Sequence, residues 1–405
     1  MIRRIAILTI ILLLTVFSVS GETKVMLITD PHYLSAELFD RDSLYFLGVI
    51  SALDGRLTQY GPELMDALRE EVRHQRPDAL IITGDLSFDG GKKSHEELAR
   101  RLEEIAKEGT EVYVIPGNHD INTIRPVGFD PESVYTVEDV DEKEFTAIYR
   151  DLMREPEGGR GANLSYHVRV SDGLWIALAD TACYQGIAYT NGIFTEDHAS
   201  WLENVLKEAA EAGAKVVTAS HHSLVSHSEF REKYYLMAGD DVMRDLKTAY
   251  DSPLHLSGHL HIQHIAEKDG IIDAATGAFC LYPHYYAMIC LKDNGSLTYE
   301  AVPLCETHLP NGFMSLSRDW FTGTVTDKNR QSLEGTFLSP EEIESMLDFS
   351  ARFHLGYFSG TIDGSEDWLS GEGYRLWEAQ GGTFAEYVRT AVSEASGSSL
   401  SVRIE

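Results

Sequence analysis

Between residues 24 and 305, short apolar, β-branched runs alternate with longer charged segments whose apolar positions recur at helical spacing. KVMLIT (24–29), DALIIT (78–83), EVYVIP (111–116), LWIALAD (174–180) and KVVTAS (215–220) are rich in Val and Ile, as buried strands are. The segments 62–75, 94–109 and 195–213 read as amphipathic helices that stop at Gly or just before Pro. Strands alternating with helices predict a mainly parallel α/β sheet. Later strand-like runs at 255–265, 270–277, 286–293 and 296–302 follow one another through tight turns such as Asp293-Asn294-Gly295, and are expected in a second, more antiparallel sheet. Beyond about Pro310 the pattern turns helical, with Ser339-Pro340-Glu341-Glu342 as a capping-box start. Gly- and Ser-rich patches at 356–365 and 395–400 read as loops or a frayed end. No internal repeat interrupts this order.

The N-terminus stands apart. Residues 1–20 join two arginines, a largely apolar run at 5–17 and small residues at Ser18 and Ser20, the layout of a secretory signal peptide cleaved after Ser20. The run is shorter than the roughly 20 residues of a membrane-spanning helix, so an uncleaved anchor is the second reading. The mature protein is therefore expected to be secreted, periplasmic or on the cell surface, beginning near Gly21. In that compartment Cys183, Cys280, Cys290 and Cys305 are free to pair, although none forms a C-x-x-C pair and burial as small apolar residues explains them equally well. The 43% hydrophobic and 24% charged composition of the 405 residues is that of a globular chain. Its formal net charge of -30 opposes nucleic acid as a partner and leaves room for a small anion held by local positive charge.

Five of the apolar runs end in side chains that bind metals or move protons. KVMLIT is followed by Asp30-Pro31-His32, DALIIT by Gly84-Asp85, EVYVIP by Gly117-Asn118-His119-Asp120, KVVTAS by His221-His222, and LHLS by Gly258-His259-Leu260-His261. Ligands of open α/β sheets sit beyond the carboxyl ends of strands, so the five loops are expected to converge on one crevice. A lone Asp-x-His or Gly-Asp reads as a turn. The ordered set of five, each at a strand end, does not.

In order and context these blocks resemble the calcineurin-like metallophosphoesterase superfamily, whose pattern is D-x-H, G-D, G-N-H-[DE], H and G-H-x-H. The resemblance spans roughly 24–305 and lacks no block. It implies a four-layer α/β/β/α sandwich with a helical C-terminal extension, and a centre of two divalent metal ions, Mn, Fe or Zn. It makes Asp85 the carboxylate shared by both ions, with Asp30, His32 and His261 on one and Asn118, His221 and His259 on the other. His221 is preferred to His222 because it stands directly at the strand end. Two such ions would yield a hydroxide near neutral pH to attack phosphorus and would clamp the phosphoryl oxygens. His119 would donate a hydrogen bond or a proton to the leaving oxygen, with Asp120 either orienting His119 or capping a following helix.

The implied division is a signal peptide at 1–20, a metallophosphoesterase domain at 21–309 with a helical insertion at 122–163, and a helical extension at 310–405. The insertion and the extension are expected to roof the crevice. Phe88 stands where purple acid phosphatases carry an iron-binding tyrosine, which argues against a ferric site. The nearest resemblance is to secreted bacterial cyclic-nucleotide and glycerophospho-diesterases, so the expected activity is hydrolysis of small phosphate esters, diesters before monoesters. The alternative is a non-catalytic protein that keeps the fold and holds a phosphorylated ligand. A serine hydrolase lacks its Gly-x-Ser-x-Gly elbow here.

Overall fold

The computed structural model describes residues 22–124, 126–153, 161–184, 190–230, 235–395 and 398–405. The expected signal peptide at 1–20 lies outside them. Among the described residues no helix is long and apolar enough to cross a membrane.

In chain order the first strands are β1 (Thr23–Ile28), β2 (Ala79–Thr83), β3 (Glu111–Ile115), β4 (Val127–Phe129), β5 (Val134–Thr136), β6 (Tyr166–Ser171) and β7 (Leu174–Ala179). They are followed by β8 (Lys215–Ser220), β9 (Leu254–Ser257), β10 (His264–Lys268), β11 (Ile271–Ala275), β12 (Tyr285–Leu291), β13 (Leu297–Pro303) and β14 (Ser401–Ile404). One six-stranded sheet has the order β14-β13-β12-β1-β2-β3 and a second has β10-β11-β9-β8-β7-β6. The expected grouping therefore needs correction. The early parallel strands are shared between the two sheets, and the late antiparallel pair β12–β13 joins β1 in the first rather than β9–β11 in the second. Alternating apolar positions identify a strand but not its neighbour, and β12 reaches β1 across most of the domain.

The two sheets face one another across a common core. In β7, Leu174, Ile176 and Leu178 point into that core, while Trp175 and Ala177 point outward. The outward face meets two helices, Glu196–Ala212 and Asp240–Ala249, through Leu202, Val205, Leu206 and Met243. The first sheet is covered by Gly61–Gln75 and Lys92–Ala106, whose Leu64, Leu68, Leu98 and Leu102 join the central core. Helix, sheet, sheet and helix thus make the four layers. Each fully buried Leu or Ile contributes about 1.5–3 kcal/mol relative to exposure.

The segment 122–163 is not simply helical. Its described part contains the ribbon β4–β5 as well as the short helix Glu142–Ile148, which Asp141 and Glu144 cap reciprocally. After Pro310 come helices α1 (Phe313–Ser332), α2 (Pro340–Phe358), α3 (Glu372–Gln380) and α4 (Thr383–Glu394), numbered here within the extension. Ser339 Oγ accepts from Glu342 N, and Glu342 Oε2 accepts from Ser339 N, so the capping box forms as read. The chain does not end in a frayed tail. β14 pairs antiparallel with β13, Leu297 opposite Ile404, and closes the edge of the first sheet. All four cysteines are unpaired.

Candidate metal centre

Parallel pairing sets the carboxyl ends of β1, β2 and β3 side by side in one sheet, and those of β8 and β9 side by side in the other. Main-chain bonds tie four of the five loops that leave these ends, in two pairs. Asp30 N donates to Gly84 O, His32 N to Asp85 O, and Gly258 N to His221 O, at 3.0–3.1 Å. Asp30, His32, Asp85, His259 and His261 all have left-handed φ values of 40–66°. Such a conformation costs a non-glycine residue on the order of 1 kcal/mol or more and persists only where the surroundings impose it. Here it turns five side chains away from their strands toward a shared space.

Asp30, His32, Asp85 and His261 form one group and are buried. His32 Nε2 lies 3.1 Å from His261 Nε2 and 3.6 Å from Asp85 Oδ2, and His261 Nε2 lies 3.3 Å from Asp30 Oδ1. In a second group His221 Nε2 lies 3.3 Å from Asp85 Oδ1 and 3.2 Å from Asn118 Oδ1, with the His259 ring centred 4.9 Å from that of His221. All seven residues singled out in the sequence as ligands therefore meet. Asp85 faces one group with each of its oxygens.

The donors fit divalent cations. An ion about 2.0–2.2 Å from each of two ligands holds those ligands roughly 3–3.5 Å apart, close to the 3.1–3.6 Å separations given above. Asp30 Oδ1 and His259 Nε2 are buried without a hydrogen-bond partner, a costly state that a cation would relieve. His221 Nδ1 lies 2.9 Å from Thr83 O, which leaves Nε2 for the cluster. His222 also lies close to His221 and His259, but Thr181 Oγ1 and Thr190 O occupy its two nitrogens at 2.9 and 3.1 Å. That favours His221 over His222 as a donor.

Electrostatics divide the imidazoles. Burial holds His32 and His259 well below the usual histidine range, so their lone pairs are available. Burial also pulls on His221 and His261, but carboxylates outweigh it: Asp85 and Asp30 hold His221 up at about 9, and Asp54 and Asp30 hold His261 up at about 9. Those two must release a proton to a cation that binds. Burial raises Asp85, yet His221 and His119 outweigh it and keep its carboxyl well below the ordinary range.

Close backbone approach sets the shared carboxylate. A Cβ on Gly117 would overlap Asp85 Oδ1, and one on Gly258 would stand 2.6 Å from Asp30 Oδ2. Only glycine leaves room for these carboxylates.

Asp120 does not do what its place beside His119 suggested. Its carboxylate is buried and accepts from the backbone N–H groups of Gly117, Leu86 and Ser87 at 2.8–3.0 Å, tying the loops after β2 and β3 together. Burial and Asp85 push it up to about 6 against those N–H groups. Among the described residues no helix starts directly after it to be capped. Asp89 instead meets His119, with Oδ1 3.3 Å from Nδ1. Burial lowers His119, but Asp85 and Asp89 outweigh it and leave its pKa raised, with the ring still 39% exposed.

Three residues near the centre escape a reading of motifs. Asp54 Oδ2 lies 2.5 Å from His261 Nδ1, and Arg56 grips the same carboxylate at 2.9 and 3.3 Å. Asp89 is the third. None is part of a strand-end block, and no local signal marks them.

A cavity of about 440 Å³ opens onto the cluster, with Asn118, His119, His259 and His261 in its wall. The C-terminal helices α1 and α2 roof it, whereas no described residue of 122–163 lines it. Thr190 and Tyr235 complete the wall. Tyr33 and Tyr184 are buried away in the core, and Phe88 packs with Leu34, Phe46 and Phe129.

Residues 23–263 match the family model described as calcineurin-like phosphoesterase. Among solved structures, a dimetal phosphatase from Danio rerio is 14% identical, covering 70% of this chain and 96% of its own, with a TM-score of 0.49. A purple acid phosphatase from yellow lupin seeds is also 14% identical, covering 70% of this chain and 52% of its own, with a TM-score of 0.46. No curated protein matches the chain.

Proposed function

Because this chain belongs to the calcineurin-like phosphoesterase family, we propose that it is an extracytoplasmic hydrolase of small phosphate esters, diesters in preference to monoesters, working at a centre of two divalent ions. The observation that carries this reading is the Asp85 carboxylate, whose two oxygens face two separate donor groups. When bound, the ions would lower the pKa of water and neutralise charge on the phosphoryl oxygens.

The chain's own part is positioning and proton transfer. Asp30, His32, Asp85 and His261 would hold one ion, and Asp85, Asn118, His221 and His259 the other. In hydrolysis a water oxygen forms a bond to phosphorus while the bond to the alcohol oxygen breaks. His119 lines the cavity and carries a raised pKa, so it is suited to give that leaving oxygen a proton, with Asp89 fixing its ring. The roof narrows access to bulk water, and its apolar Val325 and Phe358 leave a surface for a second ester arm. Residues 1–20 support export from the cytoplasm.

The test is hydrolysis of bis(p-nitrophenyl) phosphate and p-nitrophenyl phosphate by protein stripped of metal and then reloaded with Mn²⁺. Activity should vanish on stripping, return on reloading and favour the diester. Full activity without metal would overturn the mechanism. Tight retention of a phosphorylated ligand by the loaded protein, with no turnover, would mark it as a binding protein.

A further inference from the structure

The cavity wall is built in part from residues beyond the family match at 23–263. On helix α1, Thr324, Val325, Lys328 and Asn329 line it, a spacing that puts all four on one helical face. That face is fixed in place. Phe321 and Val325 of α1 and Phe358 of α2 share a core with Leu260 and Ile262, the residues that flank His261. The helices therefore dock directly on the loop that carries two of the metal donors.

Two cations enter this space in a chain of net charge -30. Arg56 is nearly buried, with 12% of its side chain exposed, and gives Nε and Nη2 to Asp54. Its Nη1 has no acceptor among the described residues. Asp54 is already shared between Arg56 and His261, and Asp85 between the two donor groups, so neither acid of the wall is free for another cation. Lys328 forms no ion pair or hydrogen bond with its side chain among the described residues. The carboxylate that acts on Lys328 is Asp54, already bonded to Arg56 and His261, so an ammonium with no direct partner beside a phosphate-ester site is matched by an anion on the substrate.

We propose that Lys328, backed by Arg56, is a specificity-determining subsite for a second anionic group, a phosphate or carboxylate, on the alcohol arm of the substrate. The proposal rests on the phosphoesterase reading, since the metal centre is taken to hold the first phosphoryl group. The preferred substrate then carries two anionic groups, one on the ions and one at Lys328. Esters with a neutral arm bind only through the first.

The test separates binding from turnover. Alkylphosphonates of graded length ending in a carboxylate, and their matching primary amides, cannot be hydrolysed, and their affinity for the Mn²⁺-loaded protein is read by calorimetry at low ionic strength. The wild type should bind the acid roughly tenfold more tightly than the amide at one chain length. Lys328→Gln, at an exposed position, should abolish that preference without changing amide affinity, and Lys328→Arg should keep it. Equal affinity for acid and amide at every length, or a preference that survives in Lys328→Gln, overturns the proposal. Hydrolysis of bis(p-nitrophenyl) phosphate by the same variants reads the phosphoesterase function separately, and Lys328→Gln should retain it.

Discussion

His119 shows how a residue's role depends on what the fold brings to it. It follows Asn118 in the chain, yet its ring is set by Asp89 from the loop after β2, 3.3 Å away. That partner and Asp85 outweigh burial and hold its pKa up, the direction that the proposed role of proton donor to a leaving alkoxide requires. His119→Asn should lower kcat for a diester by roughly 10²–10⁴-fold while metal content, measured by elemental analysis, stays at the wild-type level. Asp89→Asn should cost less and move the alkaline limb of the pH–rate profile downward, because the imidazole loses an acid that favours its charged form. An unchanged profile would remove Asp89 from this role. The convergence of the seven residues was legible in the sequence because each stands in a short block at a strand end, where chain direction alone predicts a common crevice. Asp54, Arg56 and Asp89 were not, because only tertiary packing delivers them. Asp120 was misread because adjacency to His119 along the chain is not contact with its ring.

At the scale of elements, the helix Asp240–Ala249 is tied to the second sheet by a buried lysine. Lys247 is fully buried and donates to Thr218 Oγ1 at 2.7 Å, to Leu254 O at 2.9 Å and to Ser252 Oγ at 3.3 Å. Among the described residues no carboxylate pairs with it, and burial lowers its pKa to about 7 against a weaker pull from Asp273. A lowered lysine pKa means that between about 7 and the unfolded value near 10.4 the unfolded chain binds more protons than the folded one. Folding stability from this group therefore rises with pH across that window and is lost as pH falls through about 7. Replacing it as Lys247→Met removes the titration. Urea unfolding at pH 7 and pH 9.5 should show the wild type gaining on Lys247→Met by on the order of 2 kcal/mol at the higher pH. An identical difference at both values would show that the ammonium is not the group being suppressed. Nothing local marks this tether, since Lys247 sits in a charged helical stretch where a lysine reads as surface. Helix positions were otherwise legible from apolar spacing and caps, as at Ser339. Sheet membership was not, because the largely buried strands β9 and β12 carry no local mark of which distant strand each meets.

For the molecule as a whole, the question is whether residues 310–405 are an appendage or part of the enzyme's frame. Their helicity could be read from the sequence, but β14 could not: four residues, two of them polar, pair with a strand about a hundred positions earlier. Two features make the extension structural. Its helices share one core with Leu260, Ile262, Ala275, Cys280 and Leu281 of the preceding domain, around and beyond the His259–His261 loop. Its last strand covers an otherwise open sheet edge. A chain ending at residue 309 would expose that apolar surface and the β13 edge together, a combination that favours association with other copies over a stable monomer. Its metal loop would also lose the packing that holds His261 beside Asp54. The fragment 22–309 is therefore expected to aggregate on light scattering, or, if kept in solution at low concentration, to bind Mn²⁺ at least tenfold more weakly than the full chain. In the full chain Phe353→Ala, at a fully buried site of α2, should lose about 3–5 kcal/mol of stability and weaken metal binding as the loop loosens. A monomeric 22–309 fragment with wild-type metal affinity would show that the centre is complete without its roof, and that the last hundred residues govern only which substrates reach it.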